Sequence, residues 1–169
     1  MTKTLLNLLE KKASSHGLLL RLKIGHPLSL WTFRVVVAET IDTKRIKVLG
    51  EMKGWAYNKE KGLQLDTMQV RPSSRAGVGS LIWAATMAWA LENTSCRYAR
   101  LLAVNDEDQY HSKLLRYFRL RGFVVVKEVG SSALDLPLRT VWGGAGSLMV
   151  ARCSDVYERS IYALQKRNL

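Results

Sequence analysis

The chain is short of proline, of cysteine and of acid, and each shortage narrows what it can be. Three prolines in 169 residues, with no low-complexity stretch and no internal repeat, leave no candidate linker. Residues 1–169 are therefore expected to form a single domain. Two cysteines, Cys96 and Cys153, offer neither a disulfide framework nor a ligand cluster, and fit reduced thiols inside a cell. His16, His26 and His111 share no metal-ligand spacing, so no metal is expected. No apolar run reaches the ~18 residues that would span a bilayer. Leu81 to Leu91 comes closest, but it is short and ends at Glu92. The first residues, MTKTLLNLLEKKASSHG, have no secretory or transit pattern and read as a short amphipathic helix. Membrane insertion is not expected.

The shortage of acid leaves 14 Asp and Glu against 26 Lys and Arg, a net charge of +12. Such a balance favours an anionic partner: nucleic acid, a ribosome surface, an acidic protein or a phosphate-bearing cofactor. The basic residues run from Lys11 to Arg167 rather than gathering in one arm, so a solvated basic surface describes them equally well. A nucleic-acid or ribosome-binding role rests on charge alone.

What is abundant is hydrophobic sequence, 47% of the chain, enough for a real core. Leu18 to Ile24 and Phe33 to Ala38 read as strands around a Gly25-His26-Pro27 turn. Arg45 to Tyr57 and Leu63 to Val70 read as the next two. In the last of these the large apolar residues fall at Leu63 and Leu65, then at Met68 and Val70, so the period-two pattern shifts at Asp66-Thr67. A β-bulge produces that shift, and so does mixed patterning on a strand buried on both faces. Leu81 to Glu92 is apolar on nearly every side, which marks a buried central helix, with Trp83 and Trp89 in the core. There follow a strand at Tyr98 to Val104, a helix from Asp108 to Arg121 with Asp108 as N-cap and Gly122 as C′ residue, and a strand at Phe123 to Val129. After a loop from Gly130 to Gly146 come a strand at Leu148 to Cys153 and a helix from Asp155 to Lys166. The order implies an α/β (mixed α+β) sheet with at least one parallel crossover.

The clearest site signal is the strand–loop–helix junction at Arg75-Ala76-Gly77-Val78-Gly79-Ser80. Glycines allow close backbone approach, the helix start offers free N–H groups and a positive dipole end, and Arg75 adds charge; together these bind phosphate. By itself a GxG before a helix also describes a plain tight turn. It is not a Walker loop, lacking Lys-Ser/Thr after the second glycine, nor a dinucleotide fingerprint, lacking the third glycine.

With Val70-Arg71-Pro72 before it, this segment resembles the acetyl-CoA signature of the GNAT superfamily of N-acetyltransferases, Gln/Arg-x-x-Gly-x-Gly/Ala. Leu102-Ala103-Val104-Asn105, then Leu114 to Phe123, is similar to that family's second motif, a strand ending in Asn and a helix bearing Tyr and closing on Gly-Phe. The segment from Tyr117 to Phe123 resembles plastid and cyanobacterial members, which implies cytoplasm or plastid stroma. Two departures stand out. Ser74 occupies the place of the family's Gln or Arg, with Arg75 one position late, and Phe118 rather than Tyr117 falls at the family's tyrosine.

The resemblance implies a GNAT-like fold: a central mixed sheet of six to seven strands with a splayed parallel pair and flanking helices. Acetyl-CoA would lie in the splay, its pantetheine arm on the backbone of Met68, Gln69 and Val70, its pyrophosphate on Arg75 through Ser80, with Asn105 at the strand end. Asn105 capping the next helix is the alternative. An amine of a protein or peptide would attack the thioester directly. Tyr117 is the candidate acid, with Tyr110 in reserve, and a packing tyrosine is the alternative for either. Asp66 or Glu51 would relay the amine's proton, unless they are surface or structural carboxylates. His111 is expected at the surface or in a cap. The loop from Gly130 to Gly146, with Trp142, reads as a substrate lid or a surface insertion. A catalytically silent GNAT-fold protein that binds a partner is the second reading.

Overall fold

The computed structural model describes residues 3–104, 108–130 and 144–169. In chain order the elements are α1 (Leu5–Ser15), β1 (Leu18–Gly25), β2 (Leu30–Asp42), β3 (Arg45–Tyr57), β4 (Leu63–Val70), α2 (Val78–Asn93), β5 (Tyr98–Val104), α3 (Asp108–Leu120), β6 (Val124–Val129), β7 (Gly146–Arg152) and α4 (Cys153–Lys166). The strands form one mixed sheet in the order β1-β2-β3-β4-β5-β7-β6. Short turns make β1 to β4 an antiparallel meander. The crossover through α2 makes β4 and β5 parallel, and β7 then inserts antiparallel between β5 and β6.

The mixed α/β class and seven-stranded sheet agree with the sequence reading. Element ends differ from the sequence reading: β2 extends to Leu30 and Asp42, since residues at both ends stay paired with β3. The segment 105–107, with Asn105, and the segment 131–143, with Trp142, lie outside the described residues. So does the Asp108 side chain.

Helix α2 is the hub. Residues Ser80 to Ala90 are buried without a break, because the sheet lies beneath, α1 packs along one side and α4 along the other. A helix enclosed on every side needs no polar stripe, which is why this one has none. Helix α3 reaches the same assembly through Trp83 and Tyr117, so the helices gather on one face of the sheet. On that face Phe33, Val35, Met52, Leu63 and Leu65 complete the core.

The irregularity in β4 is a bulge. Lys53 pairs with Thr67 and Gly54 with Leu65, so Asp66 has no partner on β3. With one residue looped out, Met52 meets Met68 and Gly50 meets Val70. The shift in the apolar pattern is therefore what keeps Leu63, Leu65, Met68 and Val70 all on the helical face.

Candidate functional site

Strand β4 pairs with β5 only through Leu63, Leu65 and the residue between them, against Ala99 to Leu101. The bulge at Asp66 follows at once, and past it the β5-facing peptide groups of β4 have no strand partner. Twist and bend at a bulge explain why the ladder stops there. Two cavities occupy the opening. A small one of about 50 Å³ lies between Asp66, Thr67 and Met68 of β4 and Leu101 and Leu102 of β5, against Trp83 and Phe118. A larger one of about 320 Å³ is lined by Met68, Val70, Gly79, Leu114, Tyr117, Phe118 and Arg121. They share Met68 and Phe118, so together they run from the bulge to the first turn of α2.

The loop from Arg71 to Gly77 carries β4 into α2. Two bonds fix it to the carbonyl of Leu49, from the Arg71 N–H at 2.9 Å and the Ser74 hydroxyl at 2.9 Å. Gly77 caps α2 with φ of +97°, where a Cβ would stand 2.3 Å from a methyl of Leu169. No side chain caps the helix, whose first turn keeps amide groups and a positive dipole end. At Gly79 an added Cβ would meet the Tyr117 hydroxyl at 3.6 Å, Arg121 at 3.8 Å and Met68 at 3.8 Å, so glycine keeps the wall of the larger cavity thin.

The predicted loop residues take different parts. Met68, Val70 and Gly79 line the larger cavity. Val78 is core, Ala76 is exposed, and Gln69 turns to the other face, in a cavity with Arg34, Glu51 and Arg71. Arg75, expected at the phosphate, donates instead to the carbonyl of His16 at 2.8 Å, tying the loop to the end of α1. Ser74 and Arg75 are thus anchors of the loop. The cation at the helix start is Arg121, which donates to Ser80 Oγ at 3.0 Å and lies over the Tyr117 ring at 5.2 Å.

Arg121 was not singled out from sequence. The signal that could have found it is Gly122, whose φ of +105° ends α3 as a C′ glycine. The Phe123 N–H bonds the Phe118 carbonyl and the Gly122 N–H that of Arg119, a Schellman closure with Arg121 at the C-cap. The same closure sends Phe118 against Trp83 and Phe123, with ring centroids 6.2 Å and 6.0 Å away. Tyr117 is left facing the cavity.

The Tyr117 hydroxyl accepts from the indole N–H of Trp83 at 2.8 Å and donates a long bond to Met68 Sδ at 3.9 Å. A phenol whose oxygen accepts a strong donor turns its own proton away from that donor, here toward Met68 on the cavity wall. Trp83, read only as core, is buried and also orients this hydroxyl. Tyr110, the reserve, is 63% exposed and lines neither cavity.

Asp66 is exposed at the bulge, accepts from the Thr67 hydroxyl at 3.1 Å and lines the small cavity. Glu51 is committed elsewhere: it pairs with Arg34 at 2.6 Å and Lys53 at 3.4 Å. The Arg34 guanidinium holds its carboxyl below the usual carboxylate range, with Lys53 adding to the effect and partial burial opposing it. A carboxylate so depressed is a poor base. His111 ties α3 to the sheet, with Nδ1 3.3 Å from the Val104 carbonyl and Nε2 3.2 Å from Ser147 Oγ, and Ser147 in turn donates to Glu128. Ser147 is fully buried, and the cluster lines neither cavity of the slot.

The geometry amounts to an apolar slot opened by a bulge, a phenol at its middle and Arg121 beside a helix start at its end. Protein-family models, curated proteins and solved structures give no match to this chain. The site must be read from its own chemistry. A slot with unpaired strand edge on one wall has the groups to pair with an extended, amide-bearing chain. The helix start and Arg121 offer N–H donors and positive charge suited to an anion at its end.

Proposed function

We propose that the protein is an acetyl-CoA-dependent N-acetyltransferase with a GNAT-like fold, transferring acetyl to a primary amine of a protein or peptide. The observation that carries this reading is the joining of three features in one slot: the parallel pair β4–β5 that parts at Asp66, the uncapped start of α2 with Arg121, and the Tyr117 hydroxyl between them. The sheet order supports it as well, because the parting falls at the crossover of an otherwise antiparallel meander.

In this reading the free edge of β4 from Met68 to Val70 pairs with the amides of the pantetheine arm as a further strand. The amides at the start of α2 and Arg121 hold the pyrophosphate. A neutral amine attacks the thioester carbonyl, the C–N bond forms and the C–S bond breaks. A backbone N–H beside Met68 polarises the carbonyl oxygen. Tyr117, held by Trp83, gives its proton to the departing thiolate and regains one from solvent. The amine's proton leaves through Asp66, the carboxylate at the bulge that no cation engages among the described residues.

Two measurements test this. Saturating acetyl-CoA raises the melting temperature, as ligand linkage requires, and incubation with acceptor peptides releases free thiol. An unchanged melting temperature overturns the reading. A thermal shift without thiol release on any amine gives the second reading, a catalytically silent binder. Tight, salt-sensitive binding of nucleic acid without response to acetyl-CoA replaces both with a nucleic-acid-binding role.

A further inference from the structure

The face of the sheet turned away from the helices carries an arrangement that stability alone does not explain. Lys23 pairs directly with Arg34, and Arg34 with Lys53, which makes one cross-strand row of cations over β1, β2 and β3. Directly opposed like charges destabilise a sheet. The row continues across β4 to Thr67, beside the bulge. In the neighbouring row Arg21 stands opposite Val36, and Val36 opposite Glu51. Glu51 is the one carboxylate in the patch; it bonds Arg34 and Lys53, and leaves Lys23 without an acidic partner among the described residues. Arg71 also has no acidic partner among the described residues, and it borders a cavity of about 250 Å³ on this face with Arg34, Glu51 and Gln69. Arg34 and Lys53 keep half of their side-chain surface in water, at 50% and 48%.

We infer that this face binds the acetyl acceptor, and that the acceptor is a peptide segment carrying Asp or Glu residues beside its reactive amine. The inference rests on the acetyltransferase reading for the amine and on charge complementarity for the rest. Carboxylates laid along the row relieve the repulsion among Lys23, Arg34 and Lys53. The row's end at Thr67 brings the chain to the opening at Asp66, where the small cavity passes between the strands. A peptide fits better than nucleic acid because Glu51 stands among the cations and Asp66 at the opening where the row ends. They attract an ammonium group and repel a phosphate backbone.

The test uses the full-length chain without acetyl-CoA and fluorescence anisotropy of three labelled ligands. These are a short Asp/Glu-rich peptide with one free lysine, its Asn/Gln counterpart, and a single-stranded oligodeoxynucleotide. The acidic peptide is expected to bind at least tenfold more tightly than the neutral one and to weaken with added NaCl. Lys23→Glu with Lys53→Glu is expected to lose about tenfold or more in that affinity, equivalent to about 1.4 kcal/mol. Should that pair fail to fold, Lys23→Gln serves alone, and it is expected to weaken peptide binding while raising the melting temperature. Equal binding of acidic and neutral peptides overturns the inference. So does unchanged affinity in the folded variants, or displacement of the acidic peptide by the oligonucleotide. A thermal response to acetyl-CoA without acidic-peptide binding removes this inference alone. Acidic-peptide binding without that response removes the acetyltransferase reading and leaves the docking surface standing.

Discussion

At Tyr117 a single hydrogen bond decides what the side chain is for. Its oxygen receives the Trp83 indole N–H at 2.8 Å, which orients the phenol and turns its proton toward Met68 Sδ on the wall of the slot. On the acetyltransferase reading, Tyr117→Phe keeps the ring but removes the hydroxyl, both the proton it would give and the oxygen that accepts the Trp83 N–H. Turnover is expected to fall by about 100-fold, within the range usual for a lost general acid, with little change in affinity for acetyl-CoA. Thiol-release kinetics separate the two, and unchanged turnover removes Tyr117 as the acid. Trp83→Phe should produce a smaller fall of the same kind. Gly77 makes a different point, about backbone. Its positive φ and the Leu169 methyl 2.3 Å from a built Cβ penalise any side chain. Gly77→Ala is expected to cost about 2 kcal/mol in chemical denaturation, from strained backbone together with overpacking. Leu169→Ala in the same chain should restore the packing part and not the backbone part.

At the scale of elements, the meeting of β4 with β5 is the informative one. The Asp66 bulge keeps the apolar residues of β4 on the helices and ends its ladder with β5 in the same stroke. The β5-facing amides beyond Leu65 therefore lack strand partners and should exchange with solvent faster than those of β3, which is paired on both sides. Saturating acetyl-CoA is expected to slow exchange over residues 67–70 and at the start of α2, while β1 and β2 stay unchanged. Exchange that is already slow in the free protein would count against an open edge. Helix α3 contributes through its end: the Gly122 closure puts Arg121 on Ser80. Arg121→Ala should weaken acetyl-CoA binding more than Arg75→Ala, whose guanidinium is spent on the His16 carbonyl.

Across the whole molecule, charge and burial set the response to pH. Cys153 is buried, and burial, aided by nearby Cys96, pushes its thiol up to about 12 from 9.0. Between those values the folded chain keeps a proton that the unfolded chain gives up, so folding stability falls as pH rises above 9. Urea titrations at a series of alkaline pH values should show that decline, and alkylation at neutral pH should reach Cys153 only after unfolding. Glu51 has the opposite sign. Its carboxyl is held low by Arg34, so its contribution is present above the ordinary carboxylate range and is lost on acidification. None of the described helices is long and apolar enough to cross a membrane.

Sequence by itself determined the elements and their order, because the period of two in the meander, the apolar helix 81–92 and the glycine stop at Gly122 are local patterns. The alternation also marked Asp66-Thr67 as irregular, and only the pairing of β4 with β3 showed the irregularity to be a bulge. Sequence could not decide where long side chains would go. Arg75 reached for α1 and Arg121 for α2, each choice made by elements distant in the chain. Tyr117 came to line the larger cavity beside Phe118, its hydroxyl on the Trp83 indole, because the Schellman closure sets the last turn of α3 against that ring. The cationic row of Lys23, Arg34 and Lys53 is likewise invisible along the chain, where its members stand far apart. Register across three strands brought them together, and only tertiary structure fixes register.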